Sequence, residues 1–271
     1  MRQRFVHSLL VTLLILVALI MLVPFFWMLW TSVQPPTFSL TLPKIPAVLN
    51  WQNYLIVWQT TAFARYYANS ILVALTTTIF QLFTSILAAF AFTHLQFYGR
   101  RLLFKLLIIT MMIPGELLLV PNFMTLSALH WIDTYAALII PWIASVFMMF
   151  TLHQAFESQS RTSYYAARID GGNDWQYLWY ILVPMHRTII IAVALLQLIS
   201  SWNAFMWPLI VTNSDRLRTL PLGLINFSTS VGTNYPLLMT STALSIFPLL
   251  ILYLFLQRFI ITGISKVNLR G

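Results

Sequence analysis

The segment YAARIDG at residues 165–171, followed by ILVP at 181–184, stands between long apolar stretches. It belongs to a polar loop of about 153–184 that is too short to fold alone and too patterned to be a plain tether. The loop therefore predicts a rigid element at the surface of an otherwise apolar protein.

Local residue types predict two short helices in this loop. A hydroxyl pair at 162–163 is suited to cap the first helix, and Gly171-Gly172 is suited to end it, because glycine adopts the left-handed backbone of a C-terminal cap. Asn or Asp at 173–174 starts a second helix over 175 to about 181, and Pro184 marks the turn into the next apolar segment. The product is a helix–turn–helix elbow.

Composition places the chain in a membrane. Of its 271 residues, 59% are hydrophobic and 8% are charged, which is too little charge to cover a soluble surface. Segments of roughly 20 apolar residues, the length that crosses about 30 Å of hydrocarbon as a helix, recur throughout. They predict an all-α membrane protein with a single transmembrane domain over residues 1–271. The predicted spans are about 8–32, 69–95, 102–125, 134–156, 185–211 and 237–261.

The net charge of +9 follows membrane topology, because the fifteen basic residues are scattered at the ends of the spans. No basic stripe for nucleic acid is present in the sequence. With both termini cytoplasmic, the outer basic residues are Lys44, Arg65, Arg216 and Arg218. The inner ones are Arg2, Arg4, Arg100, Arg101, Lys105, Arg161, Arg168, Arg187, Arg258, Lys266 and Arg270, a bias that matches the positive-inside rule.

Catalytic and metal sites are not expected in this chain. It has no cysteine, and its five histidines and six acidic residues are dispersed. It also lacks a Gly-rich phosphate loop ending in Gly-Lys-Ser/Thr, so any ATP hydrolysis would fall to another subunit.

The elbow has two interpretations from its residues alone. In the first, the small side chains of Ala166 and Ala167 let another protein approach closely, while Arg168 and Asp170 fix the register by charge. In the second, the elbow is an amphipathic helix on the membrane surface, anchored by the aromatic residues of 175–180. Both remain open at this point.

The elbow resembles the signature of the membrane permease subunits of binding-protein-dependent ABC importers. Segments 202–209 and 218–224 are similar to the carbohydrate branch of that family, in particular the shorter permease of maltose-type and glycerol-3-phosphate-type systems. Tyr165 departs from the family pattern, which has Glu at that position. The positions that match the signature are Ala166, Ala167, Asp170, Gly171, Ile181 and Pro184.

The resemblance implies a type I ABC importer permease fold in a prokaryotic inner membrane, with residues of about 163–170 as a coupling helix. The implied partners are a second, different permease, a cytoplasmic ATPase dimer that binds ATP and Mg, and an extracytoplasmic solute-binding protein. The implied activity is import of a sugar or oligosaccharide. Import of a glycerol-phosphate or polyol is the alternative, followed by a facilitator that needs no ATPase.

Polar residues in and between the spans are the remaining candidates. Glu116 and Asn122 in the third span, with Trp202 and Asn203 in the fifth, are candidates for the substrate pathway, although polar residues also bind membrane helices to one another. By the resemblance, the outer loop of about 213–235 approaches the binding protein. Its candidate contacts are Asn226 and Asn234.

Overall fold

The computed structural model describes residues 2–35, 49–60, 62–229 and 232–268. Lys44 and Arg270 of the predicted topology lie outside these residues. Within them the chain is helical apart from turns and one pair of two-residue antiparallel strands, β1 (Ser228–Thr229) and β2 (Gly232–Thr233). The helices are α1 (Arg2–Ser32), α2 (Gln52–Thr60), α3 (Phe63–His94), α4 (Arg100–Thr110), α5 (Leu119–Ala128), α6 (Tyr135–Ile139), α7 (Val146–Glu157), α8 (Thr162–Ile169), α9 (Asp174–Gln176), α10 (Val183–Met185), α11 (Arg187–Trp202), α12 (Met206–Val211), α13 (Leu220–Gly223) and α14 (Tyr235–Asn268).

Four helical stretches are long and apolar enough to cross a membrane. They are Val6–Ser32, Phe63–His94, Tyr135–Glu157 and Tyr235–Gln257. Two bent pairs, Arg100–Thr110 with Gly115–Ala128 and Asp174–Met185 with Arg187–Trp202, raise the number to six if each pair is one span. The predicted all-α membrane fold is confirmed.

The segment of the third predicted span, 102–125, is broken in the structure. Its two halves meet at a 95° bend between Thr110 and Gly115. Pro114 lies in the break. Proline has no N–H to donate to a helix and its ring clashes with the carbonyl four residues earlier, here that of Thr110, so α4 ends at Thr110, ahead of the proline.

The segment of the fifth predicted span, 185–211, is not one continuous helix in the structure. It separates into α11 and α12 at residues 203–205. Pro208 accounts for the break, because in a continuous helix its ring would clash with the carbonyl of Ala204, four residues earlier. The Asn203 side chain donates to the carbonyl of Ile199 at 2.9 Å and so caps the end of α11.

The chain divides into two compact units, residues 1–64 with 223–248, and residues 65–222 with 249–271. In the first unit, the end of α1 is held by side chains from distant segments. Asn53 donates to the carbonyls of Ser32 and Gln34 at 2.8 Å each, and Thr240 donates to that of Ser32 at 3.0 Å. The prediction of one transmembrane domain over the whole chain stays a prediction.

The second unit is organised along α3, whose 32 residues extend over about 48 Å. Around its C-terminal half lies a core made by α7, the segment 177–182 and α11. Around its N-terminal half lies a second core made by α5, α6 and α12. Loops at the two ends of α3 are therefore separated by more than the thickness of the hydrocarbon, about 30 Å.

A break in the Tyr135–Glu157 span is held by polar side chains of α3. A 3-10 turn (Ile140–Trp142) and a short extended segment separate α6 from α7. Gln81, Thr84 and Ser85 donate to the carbonyls of residues 142, 143 and 145 at 2.6, 2.8 and 3.3 Å. These bonds give the carbonyls at the break side-chain partners from α3, and the carbonyl of Ser145 also accepts from the N–H of Met149 at 3.0 Å.

Candidate functional site

The elbow comprises residues 162–185 in the structure, and its first helix begins differently from the prediction. The backbone N–H of Thr162 donates to the hydroxyl of Ser160 at 3.3 Å. The capping hydroxyl is therefore that of Ser160, and the predicted cap at 162–163 is wrong. Arg161 already has helical backbone and makes no side-chain cap. Ser163 instead donates to the carbonyl of Ser160 at 3.2 Å and shares a hydrogen bond of 3.1 Å with the Tyr177 hydroxyl.

The glycine pair ends α8 as the sequence predicts. Gly171 has φ +84°, and its N–H donates to the carbonyl of Arg168 at 3.2 Å. The N–H of Gly172 donates to the carbonyl of Ala167 at 2.8 Å. These two bonds form a Schellman motif, which leaves a tight turn with its carbonyls satisfied.

The second helix begins with a reciprocal cap. The side chain of Asn173 accepts from the backbone N–H of Gln176 at 2.8 Å, and the Gln176 side chain accepts from the N–H of Asn173 at 2.9 Å. The helix continues through a π-helical segment (Tyr177–Leu182) into α10, so it extends beyond the predicted end near Ile181. Pro184 lies inside α10, and the chain then bends by 81° into α11.

A charged brace joins the two helices of the elbow. The Tyr164 hydroxyl donates to Asp174 Oδ1 at 2.8 Å, and Arg168 Nη1 lies 3.4 Å from the same oxygen. Burial, with the hydrogen bond to Asp174 next, raises the pKa of Tyr164. Arg168, predicted to fix the register of a partner, is thus turned toward its own chain and remains half exposed.

The elbow is bound to the C-terminal end of α3 by rings and by arginines. Tyr177 is 1% exposed, and its ring centroid lies 5.4 Å from that of His94 and 5.1 Å from that of Tyr164. Arg100 and Arg161 donate to the carbonyl of residue 93 at 3.4 and 3.3 Å, a favourable place for cations at a helix C-terminus. The elbow is therefore fixed to the helices and not attached by a flexible tether.

The exposed side of α8 carries apolar side chains. Tyr165 is 55% exposed and Ile169 is 85% exposed, while Ala166 and Asp170 are also exposed. Ala167 packs against the protein's own core, so only one of the two predicted small contact residues faces outward. The sequence analysis did not name Ile169 as a contact residue. An apolar side chain between the charged Arg168 and Asp170 was the feature that could have indicated it.

The other predicted elbow residues occupy different environments. Gly171 forms the turn and is exposed. Ile181 packs against the core around α7 and α11, and Pro184 is exposed. The elbow thus consists of a buried inner side and a narrow exposed outer side.

The four candidate residues of the substrate pathway do not form one cluster of contacts in the structure. Glu116 is exposed in the 3-10 turn (Gly115–Leu118) after the bend, and Asn122 is half-buried in α5. Trp202 is buried at the end of α11, with its ring centroid 5.6 Å from that of Tyr67. Asn203 is exposed and serves as the helix cap described above.

The two candidate contacts for a binding protein also differ. Asn226 is exposed in the 3-10 turn (Leu224–Phe227). Asn234 is half-buried and caps α14, because its side chain accepts from the N–H of Leu237 at 3.2 Å. Asn234 thus has a structural use whether or not it touches a partner. Among the described residues, no group of three or more His, Asp or Glu side chains is arranged to hold a metal ion.

Several apolar spans and one braced polar elbow, fixed to the end of the longest helix of its unit, define a multi-pass membrane protein of the permease class. Residues 81–266 match the family described as the inner membrane component of binding-protein-dependent transport systems, and the chain belongs to this family. The predicted family is confirmed.

Relatives match nearly the whole chain. It is 31% identical over 261 residues to the arabinooligosaccharides transport system permease protein AraQ of Bacillus subtilis, covering 94% of this chain and 93% of AraQ. It is 28% identical to the diacetylchitobiose uptake system permease protein NgcG of Streptomyces coelicolor, covering 95% and 87%. It is also 28% identical to the sn-glycerol-3-phosphate transport system permease protein UgpE of Yersinia pestis, covering 84% of each chain. The predicted function as an importer permease is confirmed.

Solved structures share the fold. A chain of a bacterial ABC transporter involved in the import of the acidic polysaccharide alginate superposes with a TM-score of 0.85 at 22% identity, covering 94% of this chain and 96% of that one. A chain from the bacterial alginate ABC transporter in complex with its alginate pentasaccharide-bound periplasmic protein superposes with a TM-score of 0.66 at 16% identity, covering 92% and 93%.

Proposed function

We propose that this chain is one of two permease subunits that form the translocation pathway of an ATP-driven importer for a sugar or oligosaccharide. An extracytoplasmic binding protein delivers the solute, and a partner ATPase dimer binds ATP and Mg. The observation that carries the proposal is family membership together with 31% identity to an arabinooligosaccharide permease over 94% of the chain.

The elbow is the proposed point of contact with the ATPase. Its two helices are held in one arrangement by the reciprocal cap at Asn173, the Schellman turn and the Asp174 brace. A rigid element transmits a displacement to the helices packed against it, because packed helices move as bodies more easily than they deform. Tyr165, Ala166 and Ile169 supply the exposed surface that a partner would cover.

The cytoplasmic side is proposed from α3 and the positive-inside rule. The elbow lies at the C-terminal end of α3, and the loop between α12 and α13 lies at its N-terminal end. Between positions 65 and 222, six basic residues lie after the C-terminal end of α3 or in and beside the elbow, and three lie at the N-terminal end of α3. The excess of basic residues marks the C-terminal end of α3 as the cytoplasmic side. With an even number of spans, both termini are then cytoplasmic. The six are Arg100, Arg101, Lys105, Arg161, Arg168 and Arg187, and the three are Arg65, Arg216 and Arg218.

A neutral sugar is favoured as the solute because the described spans of this unit lack deep positive charge. Arg65 and Arg187 lie in the first turns of α3 and α11, and the basic residues of α4 lie in its first two turns, ending at Lys105. Tyr135–Glu157 contains neither Lys nor Arg. A phosphorylated solute would favour such a charge in the pathway. Glycerol phosphate remains the second candidate, since a permease of that system is 28% identical over 84% of this chain.

The test is solute uptake in the native host after deletion of the gene. Uptake of arabino-oligosaccharides, other oligosaccharides and sn-glycerol-3-phosphate is measured with labelled solutes, with and without a plasmid copy. Loss of uptake of an oligosaccharide, restored by the plasmid, supports the proposal. Loss confined to glycerol phosphate supports the second candidate. Conduction by the purified chain alone in vesicles would instead identify a facilitator and refute the dependence on an ATPase.

A further inference from the structure

The loop between α12 and α13, residues 212–219, is held in one conformation at both of its ends. At its start, Asp133 Oδ1 accepts from the backbone N–H groups of Asn213 and Ser214, at 2.9 Å each, and from the Ser214 hydroxyl at 3.0 Å. The N–H of Asp133 also donates to the carbonyl of Val211 at 2.8 Å. Asp133 has φ +61°, so the surrounding bonds stabilise a backbone conformation that an L-residue rarely adopts.

The second end of this loop is held by α3. The amide of Asn69 donates to the carbonyls of Arg216 and Arg218 at 2.9 Å each, and its oxygen accepts from the Tyr135 hydroxyl at 2.7 Å. The hydroxyl of Ser70 accepts from the N–H of Leu220 at 2.7 Å. A loop held in this way presents its side chains in a preformed arrangement, which lowers the entropic cost of binding.

A cavity of about 420 Å³ lies beside the loop. Most of the hydrogen-bond donors in its wall are already used within the protein. Thr134 donates to the carbonyl of Trp131, Tyr135 donates to Asn69, and Ser214 donates to Asp133. The lining residues are Asp133, Thr134, Tyr135, Ser214, Arg216 and Leu217.

Arg216 is the charged donor that remains available to a ligand. Its side chain is exposed and makes no ion pair with the residues that the structure describes, whereas the neighbouring Arg218 lies 3.4 Å from Asp215. A guanidinium offers several donors in a planar fork that matches a carboxylate. Arginine beside a tyrosine in a preformed pocket is also a frequent centre of protein–protein binding energy.

We propose that this cavity is a docking point for the extracytoplasmic binding protein, in which Arg216 receives an Asp or Glu side chain of that protein. The inference rests on the proposed function, which places this end of α3 outside. A protein side chain is preferred over the transported solute because the cavity lies at the end of the apolar spans: five of its six lining residues are in loops, and Tyr135 is the first residue of the span Tyr135–Glu157. Within the predicted outer loop of about 213–235, the inference places the main contact at Arg216 and not at Asn226 or Asn234.

The experiment uses the complete transporter in lipid nanodiscs, with its sister permease and ATPase. The rate of ATP hydrolysis is measured against the concentration of solute-loaded binding protein. Arg216→Glu is expected to raise the half-maximal concentration at least about tenfold, because like charges then face each other, while saturating binding protein still gives the wild-type maximal rate. Arg216→Lys, which keeps the charge without the fork, is expected to show a smaller rise.

Arg65→Glu is the matched control, because Arg65 is another exposed arginine at the same end of α3 and does not line the cavity. It is expected to leave the half-maximal concentration within about twofold. An equal shift in both variants would indicate a general charge effect and overturn the proposal. A fall in maximal rate without a shift would assign the cavity to the solute and overturn it too.

Charge reversal on the partner distinguishes a direct contact from a damaged loop. Acidic residues on the surface of the binding protein are replaced one at a time by Arg and tested against Arg216→Glu. Restoration of the half-maximal concentration by one replacement supports the contact, and failure of every replacement overturns it. If the wild-type complex shows no stimulation by any binding protein, the proposed function fails as well, whereas stimulation that is insensitive to Arg216→Glu refutes this inference alone.

Discussion

We predict that coupling of transport to ATP hydrolysis depends on a rigid turn in the elbow, and alanine substitutions at three glycines test this. Gly171 has φ +84° and ends α8, so alanine at this position would strain the backbone by about 1–2 kcal/mol. Relief of the strain requires the Schellman turn to open, which would release α8 from its fixed angle to the second helix. A change of this size alters the ratio of closed to open turn by about 5- to 30-fold.

Two other glycines serve as controls. Gly99 has φ +78° at the start of α4, outside the elbow, and Gly115 has open space around it without a left-handed backbone. Gly99→Ala therefore reproduces the backbone strain, and Gly115→Ala reproduces only the added methyl group. The melting temperature is expected to fall in Gly171→Ala and Gly99→Ala and to remain near wild type in Gly115→Ala.

The assay is the amount of solute imported per ATP hydrolysed in proteoliposomes that contain the complete transporter. We expect this ratio to fall several-fold for Gly171→Ala alone, because only that variant loosens the element between ATPase and helices. Wild-type coupling in Gly171→Ala, together with a lowered melting temperature, would show that a rigid turn is not required. Equal loss of coupling in Gly99→Ala would attribute the effect to general destabilisation.

Four further outcomes are expected. Asn69→Leu removes three hydrogen bonds at about 0.5–1.5 kcal/mol each and should lower the unfolding free energy by about 1.5–4.5 kcal/mol in a denaturation series, and an unchanged midpoint would refute this. Thr84→Val should cost about 0.6 and at most about 1.7 kcal/mol in the same measurement, since it frees one carbonyl of the span break. The backbone N–H of Ser214, despite partial burial, holds the Asp133 pKa below its ordinary 3.8. That stabilisation is present above about pH 4 and is lost as pH falls through the folded-state pKa. The fall in melting temperature between about pH 7 and acid pH should therefore be smaller for Asp133→Asn than for the wild type, and an equal fall would refute this. Tyr165→Glu should retain or raise transport-coupled ATPase activity, because Arg161 and Arg168 flank position 165 on the helix; a large loss would mean that the partner is adapted to the aromatic ring.

Local chemistry made parts of the elbow predictable. The Gly171-Gly172 pair indicates the end of α8, and Asn173 indicates the start of the next helix, because each depends on residues within one turn. The N-terminal cap was mistaken because Ser160 and Ser163 compete for neighbouring backbone groups. Sequence alone does not decide that competition, since the Tyr177 hydroxyl also binds Ser163.

Long-range bonds account for most of what the sequence did not predict. Asn69 lies in an apolar span and binds carbonyls nearly 150 positions away, which no local pattern indicates. The outward side of α8 was also ambiguous, because a short helix shows its buried face only when the packing of Tyr177 against α3 is known. The breaks in the third and fifth predicted spans, by contrast, were marked in the sequence by Pro114 and Pro208.

The most direct test of the coupling elbow uses two adjacent single-cysteine variants, since the wild-type chain has no cysteine. Ala166 is exposed and Ala167 packs against the protein's own core. Membranes of the native host that contain Ala166→Cys or Ala167→Cys are treated with a short thiol-to-amine cross-linker, and products are identified by mass spectrometry. We predict a cross-link from position 166 to a P-loop ATPase that changes with ATP, and far less product from position 167. Labelling of position 166 by lipid-soluble probes, without any ATPase adduct, would place the elbow on the membrane surface and contradict its role in coupling.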